Sequence, residues 1–181
     1  MQSEQGMSTW NGYKLMSRQV ADAAIHCDRT FPPNIHGTVQ ENPQEWGRVF
    51  HDMSGRSRGT GVIDLVPGPL NIGTDGSVEV PRDISASTAT VAAHQHPYTG
   101  EHLHNEPSMN DHLIARAFPD VEHIVQTPAA HRHGPNPYII YTGALPPRFY
   151  TLVENPFGLP VPPPSPDGNQ VPPFHPYPST R

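Results

Sequence analysis

Two histidines one residue apart, His94 and His96, are the first residues here whose type and spacing can do chemistry. The chain holds 12 His against 11 Lys and Arg, and eight of the twelve fall between His94 and His133. Neutral imidazole is the commonest metal-ligating side chain. On a β-strand, residues i and i+2 face the same way, so His94 and His96 can converge on one point. Pro97 follows at once and cannot donate to a ladder, which leaves the pair at a strand end that solvent or substrate can reach.

A metal held by two imidazoles needs a third ligand from elsewhere. Downstream, Ser108-Met109-Asn110-Asp111 opens a helix, and Asp111 in its first turn can point back over the sheet toward the metal. Ser-x-x-Asp is equally a helix N-cap, with Ser108 as the cap and Asp111 near the positive end of the helix dipole. A second His-x-His, His102 and His104, is an alternative ligand pair, although His104 lies only seven residues from Asp111 with a helix start between. Otherwise His102 and His104 line a substrate groove or are solvated. His131 and His133 read as loop residues, and His112 and His123 as residues on element faces with no ligand role.

The elements that must position these groups can be read from periodicity. Ser17 to Cys27 reads as a helix, since Val20, Ala23, Ala24 and Cys27 fall at i, i+3, i+4 and i+7 before Pro32-Pro33 stops it. Trp46 to His51, Gly61 to Val66 and the short Ser77 to Val80 after the Asp75-Gly76 turn read as strands. Thr88 to Ala93 reads as the buried strand that carries the His pair. A second helix runs from Pro107-Ser108 to about Phe118, and three more strands are expected at Glu122 to Thr127, Pro137 to Thr142 and Arg148 to Val153. This order predicts an α+β fold, mixed α/β layers around one sheet. Trp46, Phe50, Ile63, Val66, Val91, Ile114, Ile124, Val125, Ile139 and Ile140 are its expected core, and Cys27 its packed thiol. Gly55 to Gly61 lacks the Gly-Lys-Ser/Thr ending of a phosphate loop and reads as a hairpin loop.

Composition narrows the classes. The 24 Pro in 181 residues argue against a long-helix bundle, because each interior Pro costs a helix about 3 kcal/mol. One Cys excludes a disulfide scaffold and a four-Cys zinc site. A net charge of −6 argues against a nucleic-acid partner held by a basic face. No apolar run approaches the ~18 residues of a membrane span, and Met1 to Gln5 lacks the basic and apolar regions of a signal peptide. Ten prolines lie between Asn155 and Arg181. The expected organisation is a flexible leader over residues 1–12, one domain over 13–154, and an extended or disordered Pro-rich tail over 155–181.

His-x-His-Pro followed by Ser-x-x-Asp resembles the zinc signature of the JAMM (JAB/MPN-type) metallopeptidases. More narrowly, the chain resembles the divergent JAB-like domains at the C-termini of bacterial polymorphic toxins, including Rhs-type and type VI secreted effectors. Those begin with an alanine-rich helix, here Val20-Ala21-Asp22-Ala23-Ala24, and carry an Asn-x-Glu-aromatic-Gly stretch entering a strand. The match here, Asn42-Pro43-Gln44-Glu45-Trp46-Gly47, is one residue longer. Eleven residues separate His96 from Ser108, more than in the peptidases that remove ubiquitin, and the toxin-like members tolerate such a loop. The resemblance spans about Ser17 to Thr142.

It implies a JAB/MPN-like central sheet flanked by helices, with one zinc ion and a bound water held by His94, His96 and Asp111. Glu45 would be the acid/base and Ser108 would help to hold the oxyanion of a tetrahedral intermediate. Glu41 is the alternative acid/base; Glu79, alternating with Val78 and Val80 on a short strand, is less suited. The activity implied is zinc-dependent hydrolysis of peptide or isopeptide bonds in a protein or peptide substrate. The chain is then expected to be made in the bacterial cytoplasm, carried by a secretion apparatus into a target cell, and neutralised by a cognate immunity protein. Other readings are an inactive JAB-like binding module, whose Pro-rich tail docks to a partner, and a phage-tail or cell-wall peptidase on the same fold.

Overall fold

In a computed structural model, the described residues are 9–10, 13–14, 18–40, 43–54, 65–74, 76–100, 105–132, 136–143 and 150–154. The Pro-rich tail, the Gly55–Gly61 loop, Ile63, Glu41, His102, His104 and His133 lie outside them, as does most of the leader.

A short hairpin pairs β1 (Thr9–Trp10) with β2 (Tyr13–Lys14). Helix α1 (Arg18–Thr30) follows, three residues longer than its apolar stripe required. Its stripe is the expected one, with Val20, Ala23, Ala24 and Cys27 buried together with Ala21. Thr30 Oγ1 donates to His26 O at 2.9 Å in the last turn, and the chain leaves the helix before Pro32, which has no N–H to extend it.

The remaining strands are β3 (Trp46–Asp52), β4 (Leu65–Pro67), β5 (Asn71–Ile72), β6 (Ala89–Gln95), β7 (Glu122–Gln126), β8 (Pro137–Tyr141) and β9 (Tyr150–Glu154). They form one mixed sheet in the order β4-β3-β6-β7-β8-β9, with β5 also paired to β3. Every pairing is antiparallel except β6 with β7. A parallel pair needs a crossover. Helix α2 (Met109–Ala117) lies in that crossover and so starts near the carboxyl end of β6. The architecture is α+β.

Alternation along the strands divides the interior. Phe50, Val91, Ala93, Ile124, Tyr138 and Ile140 pack against the stripe of α1. The residues between them turn to the other face, where Val125, Ile139 and Tyr141 meet Ala115 of α2, and Val49 meets Ile84, Ala89 and Val121. The sheet is therefore a middle layer with one helix on each face. Among the described residues, no helix is long and apolar enough to cross a membrane.

Two expectations need correction. Ser77–Val80 is not a strand; β3 takes Asn71–Ile72 as its partner instead. Glu45 N donates to Thr74 O at 2.7 Å and Gly73 N to Glu45 O at 2.8 Å, so the ladder beside β3 is used up before residue 77. Val66 is 41% exposed, not core. On the edge strand β4 the inward position belongs to Leu65, which packs against the α1 cluster. Trp46 and Ile114 are half-buried at the margins of their clusters, and the other described core positions are buried as expected.

Candidate metal centre

β6 is paired on both sides, with His94 opposite Gly47 of β3 and opposite Val125 of β7. His96 N extends the ladder by one bond to Gln126 O at 2.9 Å before Pro97 ends it. Buried Asn34 then holds the strand end from both sides of Pro97, donating to His96 O at 2.9 Å and accepting from Tyr98 N at 3.0 Å. The backbone under the His pair is thus over-determined. Alternation sends His94 and His96 to the α2 face and Gln95 to the α1 face.

At the start of α2, Ser108 is the N-cap of a full capping box. Its Oγ accepts from Asp111 N at 3.1 Å, and Asp111 Oδ2 accepts from Ser108 N at 2.7 Å. The cap is present as expected, and the same side chain also reaches the histidines. Asp111 Oδ1 lies 3.3 Å from His94 Nε2, and Oδ2 lies 3.3 Å from His96 Nε2. The two Nε2 atoms are 3.1 Å apart. Glu45, buried and pinned by its two backbone bonds just before β3, places Oε1 3.9 Å from His96 Nε2.

These distances can be set against a metal. Tetrahedral zinc with arms of about 2.0–2.1 Å has ligand–ligand edges of about 3.3–3.4 Å. The two Nε2 atoms at 3.1 Å are close to such an edge, and Asp111 comes within 3.3 Å of each imidazole through a different oxygen, Oδ1 to His94 and Oδ2 to His96. Glu45, His94 and His96 also offer ligand atoms within 4.8 Å of one another, so this buried group can hold a metal ion. The 3.9 Å from Glu45 to His96 is longer than such an edge. Two imidazoles and a carboxylate are also the donor set that zinc accepts.

Burial alone would raise the Asp111 carboxyl, but the neighbouring charge and hydrogen bonds of His94 and His96 outweigh it and hold it well below the ordinary range. Beside the histidine pair, Tyr141 stands edge-on to His94, with ring centroids 6.4 Å apart at 89°. Burial, and then the charges of Asp111 and Glu45, push its phenol up, so it stays protonated. His112 gives a ring N–H to Thr142 O at 2.6 Å and His123 to Phe118 O at 2.9 Å, in keeping with residues that serve element faces. His131 is exposed, and Glu79 is exposed at the rim of the site. The Cys27 thiol is buried, and desolvation pushes it well above its usual value, so it is a packed thiol and no nucleophile.

The group opens into a cleft of about 290 Å³. Ser108 lies on its wall, exposed, and because its oxygen accepts the cap bond its hydroxyl hydrogen remains free to donate. Periodicity did not single out Asn34 or Tyr141. Tyr141 lies in the apolar run Tyr138-Ile139-Ile140-Tyr141 and carries no separate signal, and Asn34 acts through a contact 62 residues away. No protein-family model, curated protein or solved structure matches this chain.

Proposed function

We propose that the chain is a zinc-dependent hydrolase of peptide or isopeptide bonds, of the JAMM type, with His94, His96 and Asp111 as ligands. The observation that carries this reading is a triangle of three side chains, with His94 and His96 Nε2 3.1 Å apart and each 3.3 Å from a different oxygen of Asp111, and with a second carboxylate, Glu45, just outside it. A zinc ion in this triangle would polarise an amide carbonyl and lower the pKa of a water toward ~7.

The chain's own groups supply the rest. Glu45 takes the proton of the attacking water at a carboxylate oxygen and returns it to the leaving amine, a role that needs a base one water away and not a ligand. Ser108 donates its free hydroxyl hydrogen to the oxygen that gains charge as the carbonyl carbon becomes tetrahedral. Asn34 and the double pairing of β6 hold the imidazoles still, so that no reorganisation is needed during reaction.

That this hydrolase is the toxic domain of a secreted effector, met by an immunity protein, is supported by the resemblance of His94–Asp111 and the alanine-rich helix to the toxin-associated JAB-like domains. Metal analysis and a chelator-sensitive hydrolysis assay over protein, ubiquitin-chain and peptidoglycan substrates test the enzyme. Zinc near one equivalent, lost in His96→Ala, with amide hydrolysis abolished by chelation, is the expected result. A Glu45→Gln variant that binds zinc and keeps full activity would remove the acid/base assignment.

A further inference from the structure

The cleft that holds the metal group has two unlike walls. One is polar, formed by Glu45, His94, His96, Ser108 and Asp111. The other is apolar, formed by Val78, Val80, Ile84, Ala92 and Ile114. Val80, Ala92 and Ile114 pack against the cluster of Val49, Ile84, Ala89 and Val121, yet remain only partly buried. Their uncovered apolar surface faces the cleft, whereas Val49 beneath them is fully buried.

The floor between the two walls is made of the smallest residues. Ala92 precedes His94 by two on the same face of β6, about 6.6–6.8 Å along the strand. Gly47 lies opposite His94, and a Cβ there would stand 3.3 Å from Val78 Cγ1 and 3.5 Å from His94 Cβ. Small side chains at both points keep open a space that continues from the ligands into the apolar wall. At about 290 Å³ the whole cleft is at the lower end of ligand pockets, which run ~300–1,000 Å³. It has room for an amide and one flanking side chain. Of the polar groups near that wall, His123 is engaged with Phe118 O and Arg48 with Gly68 O and His26, while Glu79 stands at the exposed rim between Val78 and Val80. An anionic side chain placed there would lose its hydration and meet the Glu79 carboxylate at the rim.

We propose that this apolar wall is a substrate subsite that takes a branched or linear aliphatic side chain, such as that of Leu, Ile or Met, on the residue supplying the scissile carbonyl. That side chain begins two bonds from the reacting carbon, the shortest reach from the metal triangle to Ala92 of any substrate side chain. The inference rests on the hydrolase reading and deepens it. It names the substrate class as amides following a bulky aliphatic residue, in contrast to amides that follow glycine.

The test uses binding, so it does not depend on finding the natural substrate. The zinc-loaded chain is titrated calorimetrically with acetohydroxamate and with 4-methylpentanohydroxamate, which chelate through the same group and differ only in the alkyl tail. The longer tail is expected to bind about tenfold tighter or more, from burial of its extra carbons at ~0.8 kcal/mol each. Ala92→Leu, which fills the floor, and Val80→Thr, which puts a hydroxyl into the wall at nearly constant volume, should each cancel most of that gain, with zinc content as the control for folding. Equal affinity for the two hydroxamates in the zinc-loaded wild-type chain overturns the subsite and leaves the metal centre standing. A folded chain that retains no zinc overturns the hydrolase reading, and the subsite falls with it.

Discussion

Gln95 stands between His94 and His96 on one strand, and its side chain enters a different environment from theirs. On the α1 face its amide donates to Pro32 O at 2.9 Å and to Gln126 Oε1 at 2.8 Å. Gln126 Nε2 donates to Asp28 Oδ1 and lies 3.0 Å from the Tyr138 hydroxyl, which donates to the same carboxylate oxygen at 2.5 Å. On the α2 face Asp111 meets two imidazoles instead. Both carboxyls are desolvated, yet they move in opposite directions. Burial pushes Asp28 up to about 6 against the hydrogen bonds of Tyr138 and Gln126, while the two histidines hold Asp111 down. Neutral donors offset part of the cost of burying a charge, whereas groups able to carry positive charge reverse it. One face therefore turns most of its polar groups on each other, with only Gln95 Oε1 and Asp28 Oδ2 of this network buried without a hydrogen bond. The other presents nitrogen and oxygen donors across a gap that a cation fits.

The same carboxylate-to-carboxamide change on the two faces should break this symmetry most strongly. Asp111→Asn removes a ligand charge, so zinc affinity should fall by more than the ~10–100-fold that loss of a supporting partner costs. Asp28→Asn should leave it unchanged. Competition against a chromogenic chelator reads both, and equal losses would show that the two faces are not independent. Next in size is Glu45→Gln, expected to retain zinc and lose about 10²–10⁴ in turnover. A zinc titration alongside single-turnover hydrolysis separates the two effects.

Ser108 sharpens the comparison within the α2 face, because its oxygen caps the helix and its hydrogen serves the cleft. Ser108→Ala should cost about 1 kcal/mol of stability and about 10²–10³ in turnover. Ser108→Asp should restore the stability without the turnover; recovery of both would assign Ser108 to the cap alone. The smallest effect belongs to Asp28. A carboxyl pushed from 3.8 to about 6 binds its proton more tightly in the native than in the unfolded chain. Its contribution to stability is therefore largest below pH ~4 and is lost as pH rises through about 6. Because the side chain is partly exposed, the fall should be about 1–2 kcal/mol, less than the full shift would give. Urea unfolding between pH 4 and 7 measures it, and Asp28→Asn should flatten the slope.

The distinction between the two faces was half legible in the residues. An i, i+2 pair on a strand shares a face whatever the surroundings, so His94 and His96 could be placed together before any fold was known. Asp111 could be placed in a capping box, since that pattern is contained within four residues. Glu45 was legible only through the resemblance of Asn42–Gly47. Its nearness to His96 depends on the pairing of Gly47 with His94 and on the Gly73–Thr74 turn that pins its backbone. The expected strand at Ser77–Val80 failed for a related reason: alternation marks a segment that can pair, and the edge beside β3 was already taken by Asn71–Ile72.

By itself, the sequence determined what short-range geometry controls: the helix stripe of Val20 to Cys27, the common face of His94 and His96, and the cap that orients Asp111. It also implied Gln95 on the opposite face, though nothing local said what Gln95 would meet there. The tertiary structure alone decided the rest. It brought Asp111 within 4 Å of His94 and His96 and Glu45 within 4 Å of His96, set Asp28 against Tyr138 across 110 residues, and left the wall from Val78 to Ile114 open beside the histidines. Dihedral preferences and periodicity act over a few residues, so they can aim a side chain. Which partner waits across the gap is set by strand register and helix docking, and these depend on the free energy of the whole packed sheet.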